Sequence, residues 1–180
     1  MRTPLINSTA LERRHGDLMA RLDKKKVIDA IVDQIEKELE VAINAAKVAH
    51  QDATNEESKP ENEYDTRALE ASYVARGQAQ RVAELKEALY DFKHIALQKF
   101  NSDSAITATA LIDVECDDKK NTLFFMPKGG GIAVVVDGIR VQVVTPSTPL
   151  GEALLQTKKG DLVTVDLGKT EKEYEIIDVY

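Results

Sequence analysis

The stretch KKKVIDAIVDQIEKELEVAINAAKVAHQDATNEESKPENEYD, Lys24 to Asp65, carries the pattern on which the fold turns. Ile28, Ile31, Ile35, Leu39, Ala42, Ala46 and Ala49 recur at a 3-4-4-3-4-3 spacing. That spacing draws one apolar seam along a helix, close to the heptad period of a coiled coil. Asp29, Asp33, Glu36, Lys37 and Glu40 take the other faces. The seam shrinks from Ile and Leu to Ala towards residue 49, so a partner helix has to come closer there. The pattern stops where Asn55, Ser58 and Pro60 break helical continuity.

A second helical run follows, with Leu69, Tyr73, Val82, Leu85 and Leu89 on its apolar side. Arg76 and Gln80 interrupt this seam, and Gly77 weakens its middle. Two such helices joined by a short polar segment predict an antiparallel hairpin. At about 1.5 Å per residue, Lys24 to Asp52 reaches roughly 40 Å. Few other elements are long enough to cover it, so the hairpin is expected to project.

Past residue 100 the chain changes character. From Leu11 to Phe100 there are two glycines and one proline; beyond Phe100 there are seven glycines and three prolines among dense Val, Ile and Thr. Short apolar bursts at Ile106–Ile112, Leu123–Phe125, Ile132–Val136, Val141–Val144, Leu162–Val165 and Tyr174–Val179 predict strands, with Asp137-Gly138 a hairpin turn. Pro149 opens a short helix that Lys158-Lys159-Gly160 closes. The expected fold is α+β: residues 1–100 form a long antiparallel helical hairpin, a coiled-coil arm with its tip near 52–65. Residues 101–180 form a small antiparallel sheet domain with one short helix.

Composition narrows the function. The 180 residues carry 24 Lys and Arg against 31 Asp and Glu, a net charge of −7, which disfavours generic duplex binding through a basic surface. The lone Cys116 excludes an intrachain disulfide or a Cys-cluster zinc site, and its acidic neighbours Glu115, Asp117 and Asp118 oppose a thiolate. No run approaches the ~18 apolar residues of a membrane helix, and the first residues lack the apolar core of a secretion signal. A soluble, cytoplasmic protein is expected.

The hairpin turn is the most unusual stretch. Asp52, Glu56, Glu57, Glu61, Glu63 and Asp65 crowd there with one base, Lys59. Folding gains nothing from that concentration. Carboxylates are hard oxygen ligands suited to Mg²⁺, which often takes only one or two of them and keeps several waters. On composition alone, an acidic solvated turn at the start of a helix is the blander and favoured reading. The other motifs are weaker. Gly129-Gly130-Gly131 lacks the following helix that a phosphate loop needs, and reads as a hairpin loop. His15, His50 and His94 lack zinc spacing, and no Ser-His-Asp set is identifiable. Arg13, Arg14, Lys24, Lys25, Lys26, Arg76 and Arg81 either form a basic patch along the arm or are ordinary solvated positions.

The segment from Val144 to Tyr180 resembles the end of the bacterial Gre transcript-cleavage factor family. The residues that carry the resemblance are Thr148-Pro149-Leu150-Gly151-Glu152-Ala153-Leu154-Leu155, Lys158-Lys159-Gly160-Asp161 and Glu173-Tyr174-Glu175-Ile176. Glu61-Asn62-Glu63-Tyr64 and the Ala- and Arg-containing helix after it are similar to the family's tip. The resemblance implies an FKBP-like fold for the C-terminal domain and RNA polymerase as partner, docked at its secondary channel. The transcript RNA would then be approached only inside the elongation complex, and the family's DNA-binding attribute comes with it. It implies no enzymatic activity and no cofactor of the chain's own. Tip carboxylates would help to hold a catalytic Mg²⁺ of the polymerase, whose own hydrolysis shortens backtracked transcripts. Glu57 and Glu61 are the leading ligands, with Asp52, Glu56, Glu63 and Asp65 as auxiliaries. The family's tip has an Asp and a Glu three residues apart before a Glu-Tyr pair. Aligned on Glu63-Tyr64, Glu57 stands for that Asp and Pro60 for that Glu, with Glu61 one residue away. An acid-rich tip with altered spacing is seen in relatives that inhibit polymerase, so cleavage stimulation and inhibition both stay open.

Two other classes compete. A prolyl isomerase in the second half would need a cleft lined by aromatics, for which Phe124, Phe125, Tyr174 and Tyr180 are on offer. A non-catalytic interaction module would use the Ala42, Ala46 and Ala49 seam to dimerise; a monomer is expected.

Overall fold

The computed structural model describes residues 21–54, 66–101, 103–166, 168 and 170–180. Helix α1 runs Lys24–Thr54 and α2 runs Arg67–His94. Of the first seam, Ile28, Ile31, Ile35, Ala42 and Ala49 are buried, and Leu39 and Ala46 are half-buried. The second seam holds only near its end: Leu85 is buried and Val82 and Leu89 pack beside it, whereas Leu69 and Tyr73 are exposed. In the outer part of α1 the buried residues are the small Ala42 and Ala49, which cover too little apolar surface for a second row on α2.

The strands are β1 Leu111–Cys116, β2 Lys119–Phe125, β3 Ala133–Val136, β4 Ile139–Val144, β5 Leu162–Asp166 and β6 Glu171–Val179, with α3 at Pro149–Leu154 between β4 and β5. They form one six-stranded sheet in the order β3-β4-β2-β1-β6-β5. Every pairing is antiparallel except β2 with β4, which is parallel. The expected wholly antiparallel arrangement fails at that one pair because the chain after β2 passes beyond β4 to the sheet edge and returns through β3. Asp137 and Gly138 both take positive φ, as the hairpin signal requires. Asp117 and Asp118 do the same between β1 and β2.

The run Ile106–Ala110 departs from its strand expectation. Thr109 adopts φ 73, donates its N–H to Phe125 O and accepts the Gln98 N–H on its hydroxyl at 2.9 Å. These bonds tie the chain leaving α2 to the sheet and delay the strand to Leu111.

The two faces of the sheet bury different sets. One face, with Leu111, Phe124, Met126, Val141 and Val143, packs against Val27, Ile31, Ile35, Leu85 and Phe92 at the root of the hairpin. The other gathers Ile112, Val114, Leu123, Phe125, Val163, Ile176 and Val179 under Leu154 of α3. Fully burying an Ile or Phe side chain contributes about 1.5–3 kcal/mol, so the root and the sheet stabilise one another across residue 100.

Lys24 marks the junction. Its Nζ donates to Gln98 O at 2.8 Å and lies 4.3 Å above the Phe100 ring centroid. Burial lowers the ammonium from 10.5 to about 8. Below pH 8 the group is charged in both folded and unfolded chains. Between pH 8 and 10.5 the unfolded chain binds more protons, so this group makes stability rise with pH across that window. Chemical denaturation of Lys24→Met at a series of pH values should show that rise flattened relative to the unaltered chain; identical slopes would contradict the assignment.

Candidate functional site

The acidic segment of the sequence lies between the end of α1 and the start of α2. Asp52 sits exposed in the last turn of α1, ahead of Thr54, whose hydroxyl donates to His50 O at 2.8 Å. On the other side, Thr66 precedes α2 and its hydroxyl donates to Glu70 Oε1 at 2.9 Å. Glu56, Glu57, Glu61, Glu63 and Asp65 lie outside the described residues.

Those helices set the reach. The recess between α1 and β3 is lined on the helix by Ala30, Asp33, Gln34 and Lys37. From Lys37 to Thr54 is about 25 Å of helix at 1.5 Å per residue. Ala42, Ala46 and Ala49 lie buried or half-buried along this stretch. The small-residue seam is thus consumed inside the hairpin rather than offered to a second chain. The arm carries its outer end at Asp52–Thr54 well clear of the sheet.

Salt bridges fix the root of the hairpin. Lys26 Nζ lies 3.0 Å from Asp137 Oδ2 in the β3–β4 turn, and Lys128 bonds Glu87 and, at 3.3 Å, Asp91 on α2. Hydrogen bonds to Glu87 and Asp91 hold the Lys128 ammonium above its ordinary range. Within the hairpin, Arg81 meets Glu38 at 3.2 Å and Lys93 meets Glu36 at 2.6 Å. Pairs this exposed stabilise little in water, and their role is to fix register. The basic patch therefore disperses: Lys24, Lys26 and Arg81 each turn to a separate partner, and Arg13 and Arg14 lie outside the described residues.

The other candidates resolve as structure. Gly129 has φ 81, and a Cβ there would stand 2.6 Å from Cε2 of Phe92. Gly129 makes room for the aromatic that locks α2 to the sheet, a contact the spacing of residues did not announce. Cys116 is buried. His94 stacks on Tyr90 with ring centroids 4.2 Å apart, and His50 is exposed near the other end of the arm; His15 lies outside the described residues. Phe124 and Tyr180 belong to one face of the sheet, Phe125 and Tyr174 to the other. These four aromatics cannot line one cleft.

The C-terminal motif has a physical reason for its residues. Thr148 caps α3 by accepting the Gly151 N–H at 3.1 Å and donates its hydroxyl to Thr145 O at 2.8 Å. A Cβ on Gly151 would fall 1.9 Å from that same carbonyl oxygen. Only glycine fits.

Residues 138–180 match the family model described as the C-terminal part of the transcription elongation factors GreA/GreB. Over 99 residues, 55% of this chain, the sequence is 27% identical to transcription elongation factor GreA of Alkalilimnicola ehrlichii, and the chain spans 60% of that relative's length. Among solved structures, GreA factor homolog 1 (Gfh1) of Thermus thermophilus superposes with a TM-score of 0.34 at 16% identity, over 84% of this chain and 95% of that one. The GreA/GreB factor of Nitrosomonas europaea gives 0.33 at 16% identity, over 53% and 78%. These superpositions are loose, and the likeness rests on the sequence matches. The capped α3, its obligatory glycine and the β5–β6 hairpin all lie inside residues 138–180, the part of the chain that is similar to the Gre transcription elongation factors.

Proposed function

We propose that the chain regulates transcription elongation by docking on RNA polymerase at its secondary channel and extending the acidic tip of the arm towards the catalytic Mg²⁺. The observation that carries this reading is the arm itself. Two antiparallel helices reach beyond the sheet and end at the segment richest in carboxylates. Glu57 and Glu61 are the leading contributors, assisted by Asp52, Glu56, Glu63 and Asp65. Hard oxygen donors of this kind fit Mg²⁺, and a polymerase site supplies metal ions that stabilise the attacking and leaving oxygens of phosphoryl transfer. The chain's own part is to bring negative charge and orient it; the hydrolysis belongs to the polymerase, so the chain is not itself an enzyme. The C-terminal sheet, of FKBP-like type, serves as the docking body, and the protein acts as a monomer in the cytoplasm.

Pro60, standing where a cleavage-type tip has its Glu, favours a second reading in which the tip inhibits polymerase without stimulating cleavage. One assay addresses both. Purified protein added to stalled, backtracked elongation complexes either hastens transcript shortening or slows elongation. In either case Glu57→Ala/Glu61→Ala is expected to remove the effect, by tenfold or more if the carboxylates act on charge in the reacting site, while polymerase binding is retained. An effect unchanged in the double variant would take these residues out of the mechanism.

A further inference from the structure

Helix α1 opens with three lysines, Lys24, Lys25 and Lys26, and has no acid in its first turn. Cations are unfavourable at a helix N-terminus. The acid just ahead of them, Asp23, accepts the Lys25 backbone N–H on its carboxylate at 2.9 Å. The three side chains then diverge. Lys26 finds a carboxylate in the β3–β4 turn, at Asp137. Lys25 stays exposed and makes no ion pair among the described residues. Lys24 turns inwards, half-buried, to the linker between α2 and the sheet.

What Lys24 meets there carries no negative charge. Its Nζ donates to Gln98 O and sits over the Phe100 ring, and it makes no ion pair among the described residues. Gln98 is itself fixed, because its N–H donates to Thr109 Oγ1 at 2.9 Å. The carbonyl that receives Lys24 is therefore held in place. Lys93, Lys128, Lys159 and Lys172 are the contrast, each meeting a carboxylate at 2.6–3.3 Å. A carboxylate keeps an amine protonated, whereas burial without one favours the neutral form. Burial holds the Lys24 amine near 8 in place of 10.5, so a substantial fraction is neutral close to physiological pH. A neutral amine keeps an N–H for Gln98 O and has its lone pair left for an electrophile. Lysines desolvated in this way are activated nucleophiles. The exposed Lys25 ammonium beside it suits an electrophile that carries negative charge.

We propose that Lys24 is a modification site, acylated on Nζ by small acyl phosphates. The neutral amine attacks the acyl carbon, and the new C–N bond replaces the C–O bond to phosphate. Phosphate leaves with that electron pair, and the amine proton passes to water. The resulting amide keeps an N–H for Gln98 O and removes one cation from the start of α1. The modification falls at the joint between the arm and the sheet. Peptide mass spectrometry of the full chain, treated briefly with acetyl phosphate near neutral pH, tests this. The initial rate at Lys24 should exceed those at the exposed Lys25 and Lys99 by about tenfold or more, the gain expected of a desolvated amine. In guanidinium chloride the three rates should converge, because the preference comes from the fold. Equal rates in the folded chain, or a preference that survives unfolding, overturns the proposal. Lys25→Ala supplies a second arm. It should slow acylation of Lys24 by acetyl phosphate about threefold or more, since a local cation raises the concentration of an anionic reagent. Acetylation of Lys24 by the uncharged N-acetoxysuccinimide should be unchanged. An equal effect on both reagents, or none on either, would overturn acyl phosphate as the donor.

Discussion

Replacing Phe92 with alanine is expected to lower the free energy of unfolding by about 3–5 kcal/mol. The ring is 2% exposed in the last turns of α2 and belongs to the core shared by the hairpin root and the sheet. It is also the group that Gly129 is shaped to receive. Truncation therefore opens a cavity at the point where three segments distant in sequence meet, and the neighbouring backbone, held by the bond from Gly131 N to Val143 O at 3.0 Å, has little freedom to collapse into it. Urea unfolding read by circular dichroism checks the figure. Phe92→Leu, which keeps much of the volume, should lose clearly less. A loss below about 1 kcal/mol for the alanine variant, the range of ordinary surface changes, would mean that the root is held by something other than this junction. Gly129→Ala attacks the same junction from the other side, through both its positive φ and its contact with the ring.

Gly151→Ala carries the second large expectation. The added methyl would stand 1.9 Å from Thr145 O and 3.0 Å from Thr148 Oγ1. That carbonyl already accepts the Thr148 N–H at 3.0 Å and the Thr148 hydroxyl at 2.8 Å. Nothing flexible is available to yield, so α3 has to lift from the sheet or lose its cap. A cost of about 3 kcal/mol is expected, at the upper end of overpacking changes, equivalent to a fall in melting temperature of about 6–12 °C for a chain of this size. Calorimetry would decide it. An alanine variant melting within a degree or two of the unaltered chain would show that the turn from Thr145 to Gly151 can open without penalty.

What the residues themselves disclosed follows from local periodicity. The 3-4 spacing of Ile28 through Ala49 demanded a helix with one apolar stripe, and Asp137-Gly138 demanded a tight turn; both are satisfied where they were read. The motif from Thr148 to Leu155 was legible because cap, proline and glycine act within a single turn of chain. The acidic character of residues 52–65 is likewise a property of composition, visible without any coordinates. The failures have one cause in common. Leu69 and Tyr73 fit a helical stripe, but burial needs a partner of matching size, and α1 presents alanines there. Ile106–Ala110 alternates like a strand, but Thr109 is claimed by Gln98 and Phe125.

Sequence by itself determined the α-then-β order of this protein, its arm, the charge at the end of that arm and the capped turn of α3, because each depends on neighbours within a few residues. Tertiary structure alone decided that β2 and β4 run parallel, that Gly129 serves Phe92 rather than a phosphate, and that Arg21 and Lys159 meet on Asp178. Those outcomes depend on which distant segments are brought into contact, and burial, volume and charge are settled only once they meet.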